Sequence, residues 1–384
     1  MQLRPQTLLD RYFDINSQAN DRIAAEIGKK AVAKHGIRQE VIFGCQKRCW
    51  PWTFDDPPCY AVPNSTLPDD IFGPRTDTPS GDGEYPFVNN RPRFLVSGTA
   101  LGTVRAFRKL FKQALRQLAY EANFGSDQYI FSHIFGDQEV WREAMRRDEL
   151  SSFSRTNDFH SHFKPKHIDE VRAKAATLPD GRWEFGIGID YKSEVVVNTV
   201  FAEEDTAWHT QSSMSGLDRI QADNGVPEKY RTNDLSFDIS QSLPPYWTFT
   251  DEPLPRWTSW EDVSLMTNIH TNIAPVVIHH NAHRDELKNR RETWWPFIWF
   301  QSQARVLLDA HIYAPVTPFA YAGYAGDAVT EYWPHEIWKG GARNGSSKVG
   351  QSETGWVRFD DTCSAYHEEI FRDGRGPWLL PHAH

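Results

Sequence analysis

The sequence predicts an α/β protein with a mostly parallel or mixed sheet, and two observations carry that expectation. Short apolar, β-branched runs recur at 41–44, 94–97, 194–201 and 273–279, and stretches with helical periodicity separate them. No internal repeat points to a solenoid or propeller instead.

Residues 5–35 read as one long helix or two with a break. Leu8, Leu9, Tyr12, Phe13, Ile15, Ile23, Ala24 and Ile27 give it a dry side. The run VIFG at 41–44 is a short strand. CQKRCWPWTFDDPPCYAVP follows, too rich in Trp, Pro and Asp for a helix, and reads as a structured loop. Residues 76–83 are polar and belong at the surface. Residues 94–97 form a buried strand that Gly98, Thr99 and Gly102 break, and a helix opens at about Thr103. On that helix Val104, Phe107, Leu110, Phe111, Leu115 and Leu118 fall at three- and four-residue steps and are predicted to make one apolar face, with Arg and Lys on the other. A second helix starts near Ser126, a plausible N-cap, with Asp127 and Gln128 in its first turn.

From 142 to 174 charge rises and periodicity fades, which predicts an insertion or exposed loop. Residues 183–191 alternate and break at Asp190, and 194–201 read as a strand. Residues 210–260 are polar and Pro-dotted, with long loops expected. The run IAPVVIH ends on His279, His280 and Asn281. Residues 290–311 are predicted to be a strong helix with Trp294, Trp295, Ile298 and Trp299 mostly inward. The Gly-rich remainder is irregular. This divides the chain into a main domain at 1–300 and a C-terminal extension at 301–384 packed on it.

Composition narrows the function. The 384 residues hold 42 Lys and Arg against 51 Asp and Glu, a net charge of −9, with no long basic run. A nucleic-acid partner is not expected, because phosphate binding needs clustered cations. No window approaches the ~20 apolar residues of a membrane span, and the N-terminus MQLRPQTLLDRYFD reads as neither signal peptide nor anchor. The cysteines are Cys45, Cys49, Cys59 and Cys363. Zinc lacks a second CxxC half. In an oxidising compartment Cys59 would pair with Cys45 or Cys49; otherwise the thiols are free and buried.

Ligands on α/β sheets bind at the carboxyl ends of strands. Ser97, Gly98, Asp190 and His279 are all placed at predicted strand ends. His279 is either a satisfied imidazole or a metal ligand that needs carboxylate partners, for which Asp127 and Asp190 are candidates. Asp127 also suits a helix N-terminus through the helix dipole, and Asp190 also suits a turn cap. His280 and His283 are expected to face solvent. Dinucleotide, P-loop, zincin and nucleophile-elbow motifs are absent. Trp50, Trp52, Trp294, Trp295 and Trp299 offer faces for a sugar ring, although the spacing of the last three fits core packing.

RPRFLVSGTALG, GSDQYIFSHIFGDQE, FGIGIDYKSEVVVNTV and PVVIHHN stand in the order and rough spacing of a fungal group of glycosyltransferase-like proteins. That group is similar to the glycosyltransferase domains of procollagen lysyl hydroxylases and collagen galactosyltransferases. The resemblance covers roughly residues 2–300. It implies a GT-A (Rossmann-like) fold and sugar transfer from a nucleotide-sugar donor to a glycan or glycoprotein acceptor. It also implies Mn²⁺ as cofactor and a place in the ER or Golgi lumen. Leu95, Ser97 and Gly98 match the family's LxSG floor, Asp127 and Gln128 its DQ, Asp190 its strand motif, and His279 with Asn281 its HxN. The resemblance thus implies His279 on the metal, Asp127 as the catalytic group on the acceptor side, and Ser97, Gly98, Gln128, Asp190 and Asn281 around the substrate.

Three departures accompany it. Val96 replaces the family's Asn, and Val197 its Phe. The chain opens on MQLRP, just past the place of the family's DxxD carboxylates. An N-terminally truncated GT-A domain is therefore expected, with an exposed apolar sheet edge and an incomplete Mn²⁺ site. The alternative function is a non-catalytic pseudoenzyme that binds carbohydrate or a protein. An unrelated metal-dependent hydrolase using His279, Asp190 and Asp127 ranks last, since it leaves the ordered motifs unexplained.

Overall fold

The computed structural model describes residues 2–79, 86–120, 126–151, 163–213, 216–240, 259–282, 290–313, 317–323, 329–333, 346–348, 356–358 and 364–376. Within them the protein is a mixed α/β structure. The first helical stretch is two helices, α1 (Pro5–Ile27) and α2 (Lys29–His35). They part at Gly28, whose φ of 94° suits a residue without a Cβ. The dry side of α1 differs from the predicted one. Thr7, Arg11, Tyr12, Asn16 and Ala19 are buried, while Phe13 faces out. Arg11 explains the shift: its guanidinium donates to Asp238 at 2.7 Å and to the carbonyls of Glu194 and Ala274. This charged seam anchors α1 beside the apolar packing of Leu8, Ile23 and Ile27 against the two cores.

The main sheet has three strands. β1 (Val41–Gln46) is central and almost wholly buried. β2 (Phe94–Gly102) pairs with it antiparallel and β3 (Ile187–Ile189) parallel. The loop after β1 contains the short helix α3 (Pro57–Tyr60) and a disulfide between Cys49 and Cys59. Cys45 is a free, buried thiol whose burial pushes its pKa well up; Cys363 lies outside the described residues. Residues 76–79 are mostly exposed, and 80–83 lie outside the described residues.

Three helices cover the sheet: α4 (Val104–Tyr120), α5 (Asp127–Ser151) and α6 (Pro165–Ala176). One core joins Val41, Phe43 and Leu95 to Leu110, Ile134, Phe135, Val140, Trp141, Trp183 and Ile187. The insertion expected at 142–174 is instead largely helix, to Ser151 and again from Pro165, with 152–162 outside the described residues. Of its charges, Arg142 and Glu143 are buried, whereas Lys166, Asp169, Glu170 and Arg172 on α6 are exposed. Arg142 is buried, chelating Glu184 at 2.8 and 2.7 Å and bonding Glu139 at 2.9 Å. The exposed sheet edge is also absent on the β3 side. Ile187 and Ile189 are buried, and Gln138 on α5 caps the edge as a further strand would. It donates to the Ile187 carbonyl and accepts from the Phe185 and Ile187 N–H groups.

A second core gathers Leu3, Leu217, Val226, Ile239, Leu265, Ile269 and Val276. It underlies β4 (Val196–Asn198), β5 (Thr206–His209), β6 (Leu265–Asn268) and β7 (Val277–His279). β4 runs parallel to β7, and β5 antiparallel to β6. Only three residues of the predicted 194–201 strand pair. The pair β5–β6 was not visible in the sequence, because its four-residue strands carry no clean alternation. Two short helices, α7 (Gly216–Asp223) and α8 (Phe237–Ser240), lie between, and 241–258 are outside the described residues. Gln2 ties the chain start to this core, donating to the Met266 and Pro275 carbonyls at 2.8 Å each.

The predicted helix at 290–311 is broken. α9 (Arg290–Trp294) stops, a 3₁₀ turn holds Pro296, and α10 (Ala304–Tyr313) restarts. Proline lacks the N–H that a helix interior requires and clashes with the preceding turn. Ile298 is buried, whereas Trp294, Trp295 and Trp299 are half-buried. Beyond lie the strand pairs β8 (Ala320–Ala322) with β9 (Thr330–Tyr332) and β10 (Ser346–Lys348) with β11 (Trp356–Arg358). α11 (His367–Phe371) follows. β8 is held to α1 through Gln6, which exchanges bonds of 2.9 and 2.8 Å with Tyr321. Among the described residues no helix is long and apolar enough to cross a membrane.

Candidate functional site

The site is built on a bulge. β1 and β2 keep register up to Phe43 opposite Ala100, then resume with Gly44 opposite Val96. Ser97, Gly98 and Thr99 have no partner on β1, so β2 bows outward there. The glycines were expected to end this strand. Instead the strand runs through them, and Ser97 and Gly98 lie mid-strand. The bulge frees the Ser97 N–H, and Gln128 takes it at 2.9 Å. The same buried amide donates to the Leu95 carbonyl at 2.7 Å and the Trp50 carbonyl at 3.3 Å. Gln128 therefore straps three segments together: the bulge, the start of α5 and the disulfide loop.

Gly98 faces the His279 ring at the end of β7. A Cβ added there would lie 2.0 Å from Cε1 and 2.4 Å from Nε2 of His279. His279 in turn is oriented by Asn198 on β4, with Nδ1 2.7 Å from the Asn198 Oδ1. The Asn198 amide nitrogen donates to the Cys45 carbonyl at 2.9 Å, which fixes the direction of the amide. Its oxygen then faces His279, so Nδ1 carries the proton and Nε2 keeps a lone pair. Burial lowers the His279 pKa and favours this neutral form. Gly44 makes room for Asn198: a Cβ there would sit 2.6 Å from Nδ2. Neither Asn198 nor Gly44 was singled out from sequence. A lone amide inside the run VVVNTV was the available signal, since a buried polar group in a strand needs a partner.

Asn281 and Asp190 are present, but their side chains are committed to backbone. The Asn281 Oδ1 accepts from the Val200 N–H at 3.0 Å, and its own N–H donates to Thr199 at 3.1 Å. It joins the end of β4 to the turn after β7. Asp190 follows β3 and accepts the N–H groups of Glu194, Val195 and Val196 at 2.9, 2.7 and 3.0 Å. Burial raises its pKa to about 6 despite those three donors. Asp190 is thus a turn cap that fixes the loop leading into β4. Asp127 is exposed at the first position of α5, beside Gln128. His280 is half-buried against Trp294 at 5.4 Å, not solvent-facing, and His283 lies outside the described residues.

Aromatic residues of the disulfide loop overhang this end of α5. Trp52 stacks on Tyr129 with ring centroids 4.0 Å apart, and Trp50 is 46% exposed beside Gln128. Trp50 offers a free ring face; Trp52 does not. As for Mn²⁺, no three side chains of His, Cys, Asp or Glu converge among the described residues. His279 offers one neutral nitrogen, whereas a hard divalent ion takes mostly oxygen ligands. These residues do not by themselves make a Mn²⁺ site.

The arrangement packs the His279 ring against Gly98, and leaves Asp127 and Trp50 exposed at and beside the start of α5. No family model, no curated protein and no solved structure matches this chain.

Proposed function

We propose that this chain is a glycosyltransferase-like protein of the GT-A class that binds a nucleotide sugar at the Gly98–His279 contact. One observation carries the reading. Three motif segments far apart in sequence meet in space, with Gln128 on Ser97 and Gly98 on His279. Chance likeness of short motifs gives no reason for that convergence. In this reading Gly98 lets the His279 ring pack against the bulged backbone, and the His279 Nε2 accepts a sugar hydroxyl or ligates a cation. Asp127 polarises the acceptor hydroxyl. Gln128, Asn198, Asn281 and Asp190 hold these groups in position without touching the ligand themselves.

A second reading, a non-catalytic carbohydrate or protein binder, is favoured by Val96. That residue is buried at 3% exposure where the resembling family has an Asn, and it brings no hydrogen-bonding group. Thermal unfolding with uridine and guanosine diphosphate sugars, each with and without Mn²⁺, separates the two. A ligand at a hundredfold excess over its Kd stabilises by about 2.7 kcal/mol. Stabilisation by a nucleotide sugar that grows with Mn²⁺ is expected. Stabilisation by an oligosaccharide alone would replace the transferase reading with the binder, and no shift from any of them would remove both.

A further inference from the structure

Helix α4 turns most of its apolar face away from the core. Leu110 is buried and Phe107 half-buried, but Val104 (73%), Phe111 (50%), Leu115 (64%) and Leu118 (48%) are exposed. Two glutamines, Gln113 and Gln117, are buried instead, and both amide atoms of Gln117 have no partner. The helix has turned polar groups inward and left an apolar arc outside. Phe111 meets the Phe131 ring edge-on at 5.5 Å and the Phe107 ring at 5.8 Å.

The arc next to this one is cationic. Arg105, Arg108, Lys109, Lys112 and Arg116 are all exposed, and α4 contains no acidic residue. The chain as a whole is acidic, with a net charge of −9. Lys109 pairs with Asp180 at 2.9 Å and Arg105 approaches Glu40 at 3.9 Å. Among the described residues Arg108, Lys112 and Arg116 have no ion pair. At 100° per residue the apolar and cationic arcs lie side by side from Val104 to Leu118, over about 21 Å.

We propose that α4 is a docking surface for an anionic lipid membrane, with the protein lying on the bilayer rather than crossing it. Charge complementarity selects the occupant. A second copy of the chain would bring five like charges against five. A planar surface with an apolar interior and an anionic rim satisfies both arcs at once, with Phe111, Leu115 and Leu118 entering the acyl boundary and the cations at headgroup level. The exposed apolar arc runs beside the cations along the whole helix, and a bilayer meets both along one plane, which favours it over an acidic protein groove. The proposal stands independently of the nucleotide-sugar reading.

Sedimentation of the full chain with vesicles tests it. One set is phosphatidylcholine alone, and the other contains about one third phosphatidylserine. Binding to the second set, weakened by salt, is expected. Each cation near an anionic surface strengthens partitioning about fivefold, so Arg108→Gln, Lys112→Gln and Arg116→Gln together should weaken it on the order of 100-fold. Leu115→Asp with Leu118→Asp should abolish it, and because these positions are exposed the thermal midpoint should not move. Failure of the wild-type chain to bind phosphatidylserine vesicles would overturn the proposal. So would binding that neither set of variants changes. Binding to a polyglutamate-rich peptide through the same residues, without vesicle binding, would assign the surface to an acidic protein instead.

Discussion

Arg142→Ala should destabilise the fold by about 3–5 kcal/mol, the cost typical of leaving buried charges unpaired. The guanidinium is 6% exposed and is the shared partner of Glu139 and Glu184, both nearly inaccessible. It also donates to the Arg38 carbonyl, linking α5 to the chain that enters β1. Removing it leaves two carboxylates unpaired in a dry site. Burial already raises the Glu139 pKa with Arg142 present, and without it the rise must grow. An acid whose pKa is raised on folding contributes stability at low pH that is lost as pH climbs through the folded value. The deficit of the variant should therefore be larger at pH 8 than at pH 5. Chemical denaturation at the two pH values reads both. A loss below about 1 kcal/mol, or a deficit independent of pH, would mean that the triad is not buried as described. Arg142→Lys should not rescue, because an ammonium cannot make the two-pronged contact with Glu184.

Gly98→Ala should abolish ligand binding at the site while leaving a folded protein. The new Cβ would fall 2.0 Å from the His279 Cε1, inside any permissible contact. The ring must swing away, and the 2.7 Å bond to Asn198 breaks with it. Overpacking of this kind costs about 1–3 kcal/mol. The cost is specific to the pair. Against a His279→Ala background, Gly98→Ala should be close to neutral, because the ring it strikes is gone, and the two changes should be strongly non-additive. Calorimetric titration with the nucleotide sugar should show at least a tenfold loss for Gly98→Ala. Wild-type affinity in that variant would place the ligand elsewhere.

The two sites show which parts of this molecule a sequence exposes. Helix starts at Pro5 and Asp127, the central strand at Val41 and the strand ending on His279 were legible, since each has periodicity or a strong boundary residue. Charge was the misleading signal. The run that contains Arg142 and Glu143 looked solvated but packs inward, because its ions pair with Glu184 and with one another. Apolar periodicity located α4 and its apolar face, but did not reveal that most of that stripe is exposed. Pro296 inside the Trp-rich stretch should have broken the predicted helix, and it did. Within the site, Ser97, Gly98, Gln128, His279 and Asn281 were nameable from motif order. Their geometry was not, because a bulge depends on the partner strand and the partner of an imidazole depends on tertiary placement. Asn198 and Gly44, which set the His279 tautomer, belong to that second kind.

The central claim is that a nucleotide sugar sits where the β2 bulge meets His279. Hydrogen–deuterium exchange of the wild-type chain, with and without a uridine or guanosine diphosphate sugar, tests it most directly. The account predicts slowed exchange confined to peptides over 95–100, 126–129 and 277–282, lost in Gly98→Ala. Protection elsewhere with those three segments unchanged would contradict it, and so would no protection at ligand concentrations that stabilise the fold.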